Sequence, residues 1–331
     1  MVDRSVLARP WQEWLADNLA HGLDDDELLT LLEERGVAHD EATRAIAQIR
    51  SSPAFAVAQR LALRSSRLAM LLQLVRERVG LTSIERRCDP DPGELFDRYW
   101  ATGTPFVATD VVPRWPAFGR WTPQWLRDHF GDVEIEASVD RERDRDYDIN
   151  FAAHRASMRM ADYVDRVCAA GDVSNDCYLI ANNHNLARPG LRPLLDDLVL
   201  PPYLDPARLV GSSALWFGPA GTTTSLHHDT SNILLGQVLG RKRVWLCDAC
   251  EPAWLAHARG VYCDVDPRRI ADDPELATAR VYELDLAAGE ALFLPAGWWH
   301  QVVALDVSIS VGLNNFRRPN RLDWYKPGAL R

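Results

Sequence analysis

The 331-residue chain is long enough for one large domain and a small one. Its 47% apolar and 25% charged residues are ordinary for a soluble globular protein. The net charge of −10 argues against a surface that wraps nucleic acid. No apolar run reaches transmembrane length, and residues 1–11 contain no apolar signal-peptide core, so we predict a cytoplasmic protein without a membrane partner.

Residues 1–80 show helical periodicity and predict an N-terminal helical domain. Three short apolar stripes stop near Gly22, Gly36 and Pro53, which are residue types that commonly terminate helices. A longer helix is predicted over about 54–78, where leucines are interspersed with five arginines. Two interpretations of this helix stay open: it packs on the rest of the chain, or it forms a partner-binding or homodimer surface. We expect this domain to serve substrate recognition or dimerisation.

From residue 84 the pattern becomes β-rich. Many short strands broken by Gly and Pro indicate a mainly β barrel or jelly roll, with flanking helices predicted at 92–100, 123–130, 160–169 and 191–198. The predicted strands are 104–111, 133–138, 214–217, 233–238, 243–247, 291–294 and 307–313. The charged run 140–148 is interpreted as a solvated loop, with the rim of a substrate groove as the alternative.

A candidate metal site begins at His227-x-Asp229, which lies in a strand-like run. Side chains at i and i+2 of a strand share a face, so these two can point at one ion while His228 points away. A distal His300 follows a turn and an apolar strand. Two imidazoles and one carboxylate leave coordination positions open and suit non-heme Fe(II) oxygen chemistry. The sequence therefore predicts an iron site of His227, Asp229 and His300.

The lysine content supplies a second candidate. Of the 37 basic residues only two are lysine, Lys242 and Lys326, so a surface cation in this chain is nearly always arginine. A compact ammonium at position 242 fits a small pocket that closes on a carboxylate. Chance placement of a rare residue is the alternative.

The six cysteines are most simply interpreted as free thiols. A zinc site at Cys247-x-x-Cys250, with His257 and Cys263, is the alternative. Its spacing lacks a second tight cysteine pair, which argues against zinc there.

Together these motifs resemble the JmjC-type, cupin-like 2-oxoglutarate oxygenases, in the branch of small hydroxylases that includes arginyl and asparaginyl hydroxylases. The resemblance runs from Ile84 to Phe316. Its markers, in chain order, are Trp115-Pro116-Ala117, Trp121-Thr122, Cys177-Tyr178-Leu179, WFGPAGTTTSLHHD from Trp216, GRKR from Gly240, GEALFLPAGWWH from Gly289 and ALDVSISV from Ala304. It implies a double-stranded β-helix core within a catalytic domain of residues 81–331.

The resemblance also assigns roles to residues of the predicted site. It makes His227, Asp229 and His300 the iron ligands. The positions that bind the distal carboxylate of 2-oxoglutarate are matched by Tyr178, Thr224 and Lys242, and a wall of that pocket is matched by Trp216.

This chain departs from the family pattern at two positions that are expected to contact the metal-binding end of the cosubstrate. Related hydroxylases carry Asn where this chain has Ile233, one step after Asn232, and the asparaginyl hydroxylase carries Asn where it has Gly312. The candidate replacements are Asn182 and Asn183.

The implied reaction uses Fe(II), 2-oxoglutarate and O2 to hydroxylate an unactivated C–H of a side chain in a protein or ribosomal peptide, with succinate and CO2 as co-products. The carboxylate of Asp229 favours hydroxylation, since related halogenases replace it to make room for halide. A small-molecule hydroxylase or an N-methyl demethylase on the same core stays open, as does a non-catalytic cupin-like binding protein, which the complete triad disfavours.

A basic substrate is a further expectation, and it rests on Glu136. This residue matches an acidic position that faces the substrate pocket of arginyl-hydroxylase-like relatives, where it could pair with a guanidinium. The alternative is a solvated strand glutamate.

Overall fold

The structure is a computed structural model that describes residues 7–274, 276–277 and 279–320. Residues 321–331, and Lys326 with them, lie outside the described residues. The chain divides into two compact units, Met1–Val75 and Arg76–Arg331. Within the described ranges, no helix is long and apolar enough to cross a membrane.

The first unit is helical. Its elements are α1 (Arg9–His21), α2 (Asp25–Glu34), α3 (His39–Ser51) and α4 (Pro53–Val79), the last of which continues into the second unit. Gly22 ends α1 in a left-handed conformation at φ +91°, and the Asp24 carboxylate caps α2 by accepting from the Asp26 N–H at 2.9 Å. The predicted apolar stripes form its core, which includes Leu15, Leu19, Leu28, Leu32 and Ile46.

The second unit is built mainly from strands. In chain order they are β1 (Glu85–Arg87), β2 (Phe106–Ala108), β3 (Glu134–Val139), β4 (Arg155–Arg159), β5 (Cys177–Tyr178), β6 (Ser213–Gly218), β7 (Thr223–His228), β8 (Ile233–Leu239), β9 (Lys242–Cys247), β10 (Ala258–Arg259), β11 (Tyr262–Cys263), β12 (Val281–Leu286), β13 (Ala291–Leu294), β14 (Trp299–Ala304) and β15 (Ser308–Leu313). The strands that were not predicted are β1, β4, β5, β10, β11 and β12. Four of them are only two or three residues long, β4 is mostly polar, and the alternation of β12 was missed.

Helices flank these strands where the sequence predicts them. They are α5 (Pro92–Glu94), which continues as a π-helical turn over Leu95–Trp100, α6 (Pro123–Phe130) and α7 (Met160–Cys168). The predicted helix over 191–198 is instead a 3₁₀ segment, Pro189–Asp197, which contains Pro193.

Two six-stranded sheets form the core of the second unit. One has the strand order β1-β2-β13-β8-β15-β6, and the other has β10-β11-β7-β14-β9-β12. Apolar side chains from both sheets pack into one cluster, in which Leu235 and Leu292 of the first meet Val244 and Val302 of the second. This arrangement confirms the predicted mainly β jelly-roll core with flanking helices. The third sheet, β4-β3-β5, is small and lies beside β6 through the Leu179–Phe217 bridge.

Candidate active site

A cavity of about 460 Å³ lies between the two large sheets. Strands β7, β9 and β14 line one side, and β6, β8 and β15 line the other. Of the ten site residues predicted from the sequence, eight line this cavity: Tyr178, Asn182, Trp216, Thr224, His227, Asp229, Lys242 and His300. Glu136 and Asn183 do not.

The three predicted metal ligands come together at the cavity wall. One ligand atom from each of His227, Asp229 and His300 lies within 4.8 Å of the other two. The imidazoles are neighbours because His227 on β7 is in register with His300 on β14, and their ring centroids are 4.1 Å apart. Among the described residues, no other group of three His, Cys, Asp or Glu side chains clusters in this way, which leaves the cysteine-based zinc alternative without support.

Hydrogen bonds orient both imidazoles towards a shared ion. The His227 Nδ1–H donates to the Ser225 carbonyl oxygen at 2.8 Å, and the His300 Nδ1–H donates to the Trp298 carbonyl oxygen at 3.0 Å. A carbonyl oxygen only accepts, so each Nδ1 carries the proton and each Nε2 is free to bind a metal. His228 lies outside the cluster, with its ring packed edge-on against Trp299.

Burial makes this cluster unfavourable for charge unless a cation is present. Desolvation raises the pKa of the Asp229 carboxyl above its ordinary value. Desolvation, reinforced by His227, holds the pKa of the His300 imidazole well below its ordinary value, so this ligand is neutral near pH 7. A neutral imidazole is the metal-binding form, and a divalent ion would favour the ionised carboxylate. The donor set of two nitrogens and one carboxylate oxygen therefore fits a divalent metal with open coordination positions.

A β-bulge explains how Thr224 and His227 both reach the cavity. Residues three apart on a regular strand point to opposite faces. Here His300 pairs with His227 while Val302 pairs with Thr224, so two steps along β14 match three along β7. The extra residue in β7 reverses the faces to which the preceding residues point, so Thr224 points into the cavity like His227. This irregularity could not be predicted from the sequence.

The predicted carboxylate anchor lies on the neighbouring strand. Lys242 begins β9 and points inward with Val244, while Arg243 points outward to an ion pair with Asp285. The Lys242 side chain is 1% exposed, and its Nζ donates to the Tyr178 hydroxyl at 3.0 Å. Burial lowers the pKa of Lys242 to about 7. Among the described residues, no carboxylate lies within ion-pair distance of this ammonium, which fits a site completed by the carboxylate of a ligand.

Two glycines make room for the rings beside this anchor. A Cβ atom at Gly312 would lie 2.5 Å from the Trp216 ring, and one at Gly218 would lie 2.7 Å from the Tyr178 ring. The asparagine that a related hydroxylase carries at position 312 therefore cannot be accommodated unless Trp216 moves. In this chain, the indole of Trp216 and the side chain of Ile233 form that part of the cavity wall.

The remaining predicted residues lie at or behind the cavity opening. Asn182 is exposed and lines the cavity. Asn183 is buried and supports the turn from behind, accepting from the Ile180 N–H at 2.8 Å and donating to the Glu136 carboxylate at 3.2 Å. Of the two candidate replacements, only Asn182 is placed to meet a ligand.

Glu136 has a different environment from the one expected. Its carboxylate accepts from Arg155 at 2.7 Å and lies 3.7 Å from Arg188. Its backbone is held by Asn185, which accepts from the Glu136 N–H at 3.0 Å and donates to the Glu136 carbonyl oxygen at 2.8 Å. Because two arginines of the chain already occupy this carboxylate, the geometry does not support the predicted pairing with a substrate guanidinium.

The charged run 140–148 is only in part the solvated loop that was predicted. Arg141 is 0% exposed and Asp148 is 6% exposed, and they form an ion pair at 3.4 Å. They brace the outer edge of the bulged strand: the Ser225 N–H donates to Asp148 Oδ2 at 2.8 Å, and Arg141 donates to the Thr223 carbonyl oxygen at 2.5 Å. We call Arg141 and Asp148 the β7 brace. The dense run of opposite charges gave no signal of which two are buried.

Removing the β7 brace is expected to destabilise the fold strongly. Asp148→Ala strands the buried Arg141 cation and leaves the Ser225 N–H without its acceptor, which typically costs about 3–5 kcal/mol. Asp146→Ala is the matched control, because its ion pair with Arg259 is partly exposed and should contribute under about 1 kcal/mol. Equilibrium denaturation of the two variants measures both effects, and equal stabilities would show that the brace is not structural.

Comparisons with known proteins identify related sequences. Residues 92–320 match the family described as cupin-like domain. Lysine-specific demethylase JMJ30 of Arabidopsis thaliana is 26% identical over 69% of this chain and 53% of its own length. JmjC domain-containing protein D of Dictyostelium discoideum is 26% identical over 67% of this chain and 54% of its own length. tRNA wybutosine-synthesizing protein 5 of Danio rerio is 29% identical over 62% of this chain and 67% of its own length.

The chain therefore spans about half the length of the first two of these relatives. The matched range 92–320 is more than half of the chain and contains the whole candidate site, from Tyr178 to His300. It also contains both large sheets apart from β1. The predicted resemblance to JmjC-type, cupin-like proteins is confirmed, and the chain belongs to the cupin-like domain family.

Proposed function

We propose that this protein is an Fe(II)- and 2-oxoglutarate-dependent oxygenase that hydroxylates a side chain of a protein or ribosomal peptide. One observation carries the proposal: the two-histidine, one-carboxylate cluster and the buried Lys242 ammonium open into the same cavity. A dicarboxylate with a metal-binding keto acid at one end matches both features at once. A non-catalytic binding protein would not require two oriented imidazoles clustered with a carboxylate in this cavity.

Each group of the cavity has a distinct task in this proposal. His227, Asp229 and His300 would hold the metal through Nε2 and carboxylate oxygen atoms. Bound Fe(II) would supply the redox chemistry by which one oxygen atom of O2 enters succinate, as 2-oxoglutarate loses CO2, and the other is inserted into a substrate C–H bond. Lys242 and Tyr178 would bind and orient the distal carboxylate of the cosubstrate. The apolar cluster around Val244 and Leu292, of which Trp216 is part, excludes water from the cavity floor.

The opening of the cavity supports a peptide substrate. Its exposed lining residues include Asn182 and His184, and Ser212 and Asn314 also line the cavity. These groups are neutral or weakly basic hydrogen-bonding side chains of the kind that can pair with a peptide backbone.

Demethylation of an N-methyl group is the second candidate. It is favoured by the relative named lysine-specific demethylase JMJ30. The same cavity residues would serve both reactions, because hydroxylation of an N-methyl carbon leads to loss of formaldehyde. The product of the reaction distinguishes the two.

Turnover of 2-oxoglutarate in air tests the proposal. The protein with Fe(II) should convert 2-oxoglutarate to succinate at a slow basal rate that rises with a peptide library, and mass spectrometry should show gain of one oxygen atom. Release of formaldehyde from methylated peptides would favour demethylation instead. Absence of succinate under all these conditions, although Fe(II) and 2-oxoglutarate both bind, would contradict an oxygenase.

Cosubstrate binding is expected to weaken as the pH rises above 7. Burial lowers the pKa of Lys242 to about 7 in the unliganded protein, and a bound carboxylate favours the charged ammonium. Binding at higher pH must therefore take up a proton, and affinity should fall by up to about tenfold per pH unit. Calorimetry between pH 7 and 9, in buffers of different ionisation enthalpy, measures both effects. Constant affinity without proton uptake would contradict this assignment.

A further inference from the structure

The helix α4 exposes an unusual amount of apolar surface. Of fifteen large apolar side chains that are exposed in the described part of the chain, nine belong to this one helix. Five of them share one face: Val57, Leu61, Leu68, Val75 and Val79, which we call the α4 stripe. Arg64 interrupts this face between Leu61 and Leu68. A soluble protein rarely leaves so many apolar side chains of one helix in water, so the stripe indicates an interaction surface.

The order of the α4 stripe is self-complementary. Its spacings are 4, 7, 7 and 4 residues, which read the same in both directions from Leu68. Two such helices that lie antiparallel would place Leu68 against its own copy, Leu61 against Val75, and Val57 against Val79. The seven-residue spacing is the repeat of helices that pack along a narrow seam. A self-complementary patch is what an interface with two-fold symmetry requires.

The charge distribution fits the same arrangement. Residues 9–51, which form α1 to α3, carry ten acidic and four basic side chains, whereas α4 carries five arginines and one glutamate. The acidic helices pack on the N-terminal half of α4, through Phe55 and Ala62. In an antiparallel pair, the C-terminal half of one α4 lies beside the N-terminal half of the other, on which these acidic helices pack.

We propose that α4 is the interface of a homodimer in which two copies of the chain pair antiparallel about Leu68. The pairing depends only on the stripe and on the charge asymmetry of the helical unit. It is independent of the proposed enzymatic activity, and the tests of the two are separate.

Sedimentation equilibrium of the full chain tests this pairing. The wild-type protein should be a dimer in the micromolar range. Leu68→Glu places two carboxylates against each other at the two-fold axis and should raise the dimer Kd by at least about a hundredfold. Leu68 is 54% exposed, so folding should be retained, which circular dichroism checks. Leu63→Glu is the matched control: it is 44% exposed on the opposite face and should leave the dimer unchanged.

A charge exchange tests the antiparallel direction. Leu61→Glu alone and Val75→Lys alone should each weaken the dimer, and the combined variant should restore it, because these residues face each other only in an antiparallel pair. A parallel pair would place like charges together and would not recover. A wild-type monomer, a dimer that tolerates Leu68→Glu, or a combined variant no better than the single ones would overturn the proposal.

Discussion

Replacing Lys242 with alanine is expected to weaken 2-oxoglutarate binding at least about thirtyfold and to leave Fe(II) affinity nearly unchanged. Truncating one partner of a buried charge pair typically costs about 2–5 kcal/mol, much of it from the carboxylate left without its partner. Lys242 donates to Tyr178 and is not part of the metal cluster, so the two affinities should separate. Isothermal titration of 2-oxoglutarate and of Co(II), as a redox-stable substitute for Fe(II), measures them independently.

The adjacent Arg243 supplies the control. It has the same charge on the same strand but points out of the cavity to Asp285 and Glu283. Arg243→Ala should bind 2-oxoglutarate like the wild type. An equal loss in both variants would mean that net charge matters rather than the buried ammonium, and unchanged binding in Lys242→Ala would contradict the anchor.

Replacing His300 with alanine is expected to weaken divalent metal binding by more than about a hundredfold. Changes to residues that merely orient ligands cost about 10–100-fold, so loss of a ligand should cost more. His300 is almost fully buried, and no other imidazole of the cluster can move to its place, because His227 is held by the Ser225 carbonyl. The measurement is Co(II) affinity, with the visible spectrum of the bound ion reporting its coordination.

His228→Ala is the control for this change. His228 lies next to His227 in the sequence, but its ring packs on Trp299 and lies outside the cluster. It should retain metal affinity close to that of the wild type. Similar metal binding by the His300 and His228 variants would exclude the assigned ligand set.

The mainly β fold could largely be predicted from local patterns, whereas the cosubstrate-binding roles came from the family resemblance. Alternation along a strand places Lys242 and Arg243 on opposite faces of β9, but it does not say which face meets the cavity, because both faces carry buried residues. The same two-residue period places the side chains of His227 and Asp229 on one face. The pairing of His227 with His300 depends on strand register, and the resemblance to a family supplied that long-range information.

The parts that could not be predicted depend on irregular backbone and on distant partners. The bulge that turns Thr224 towards the cavity has no signature in the letters around it. Arg141 and Asp148 cannot be distinguished from the other members of a charged run by sequence. Their role follows from contact with Thr223 and Ser225, the part of β7 that β11 does not reach. Glu136 is paired with Arg155 and Arg188, neither of which is a neighbour in the sequence.

The most direct test of the proposed oxygenase site is an anaerobic titration of the protein with Fe(II) and 2-oxoglutarate, followed by visible absorption. A keto acid chelated to Fe(II) gives a weak metal-to-ligand charge-transfer band, so its appearance requires metal and cosubstrate in one cavity. We predict this band for the wild type and its loss in His227→Ala and Asp229→Ala. No band in the wild type, or a band that persists in both variants, would contradict the site described here.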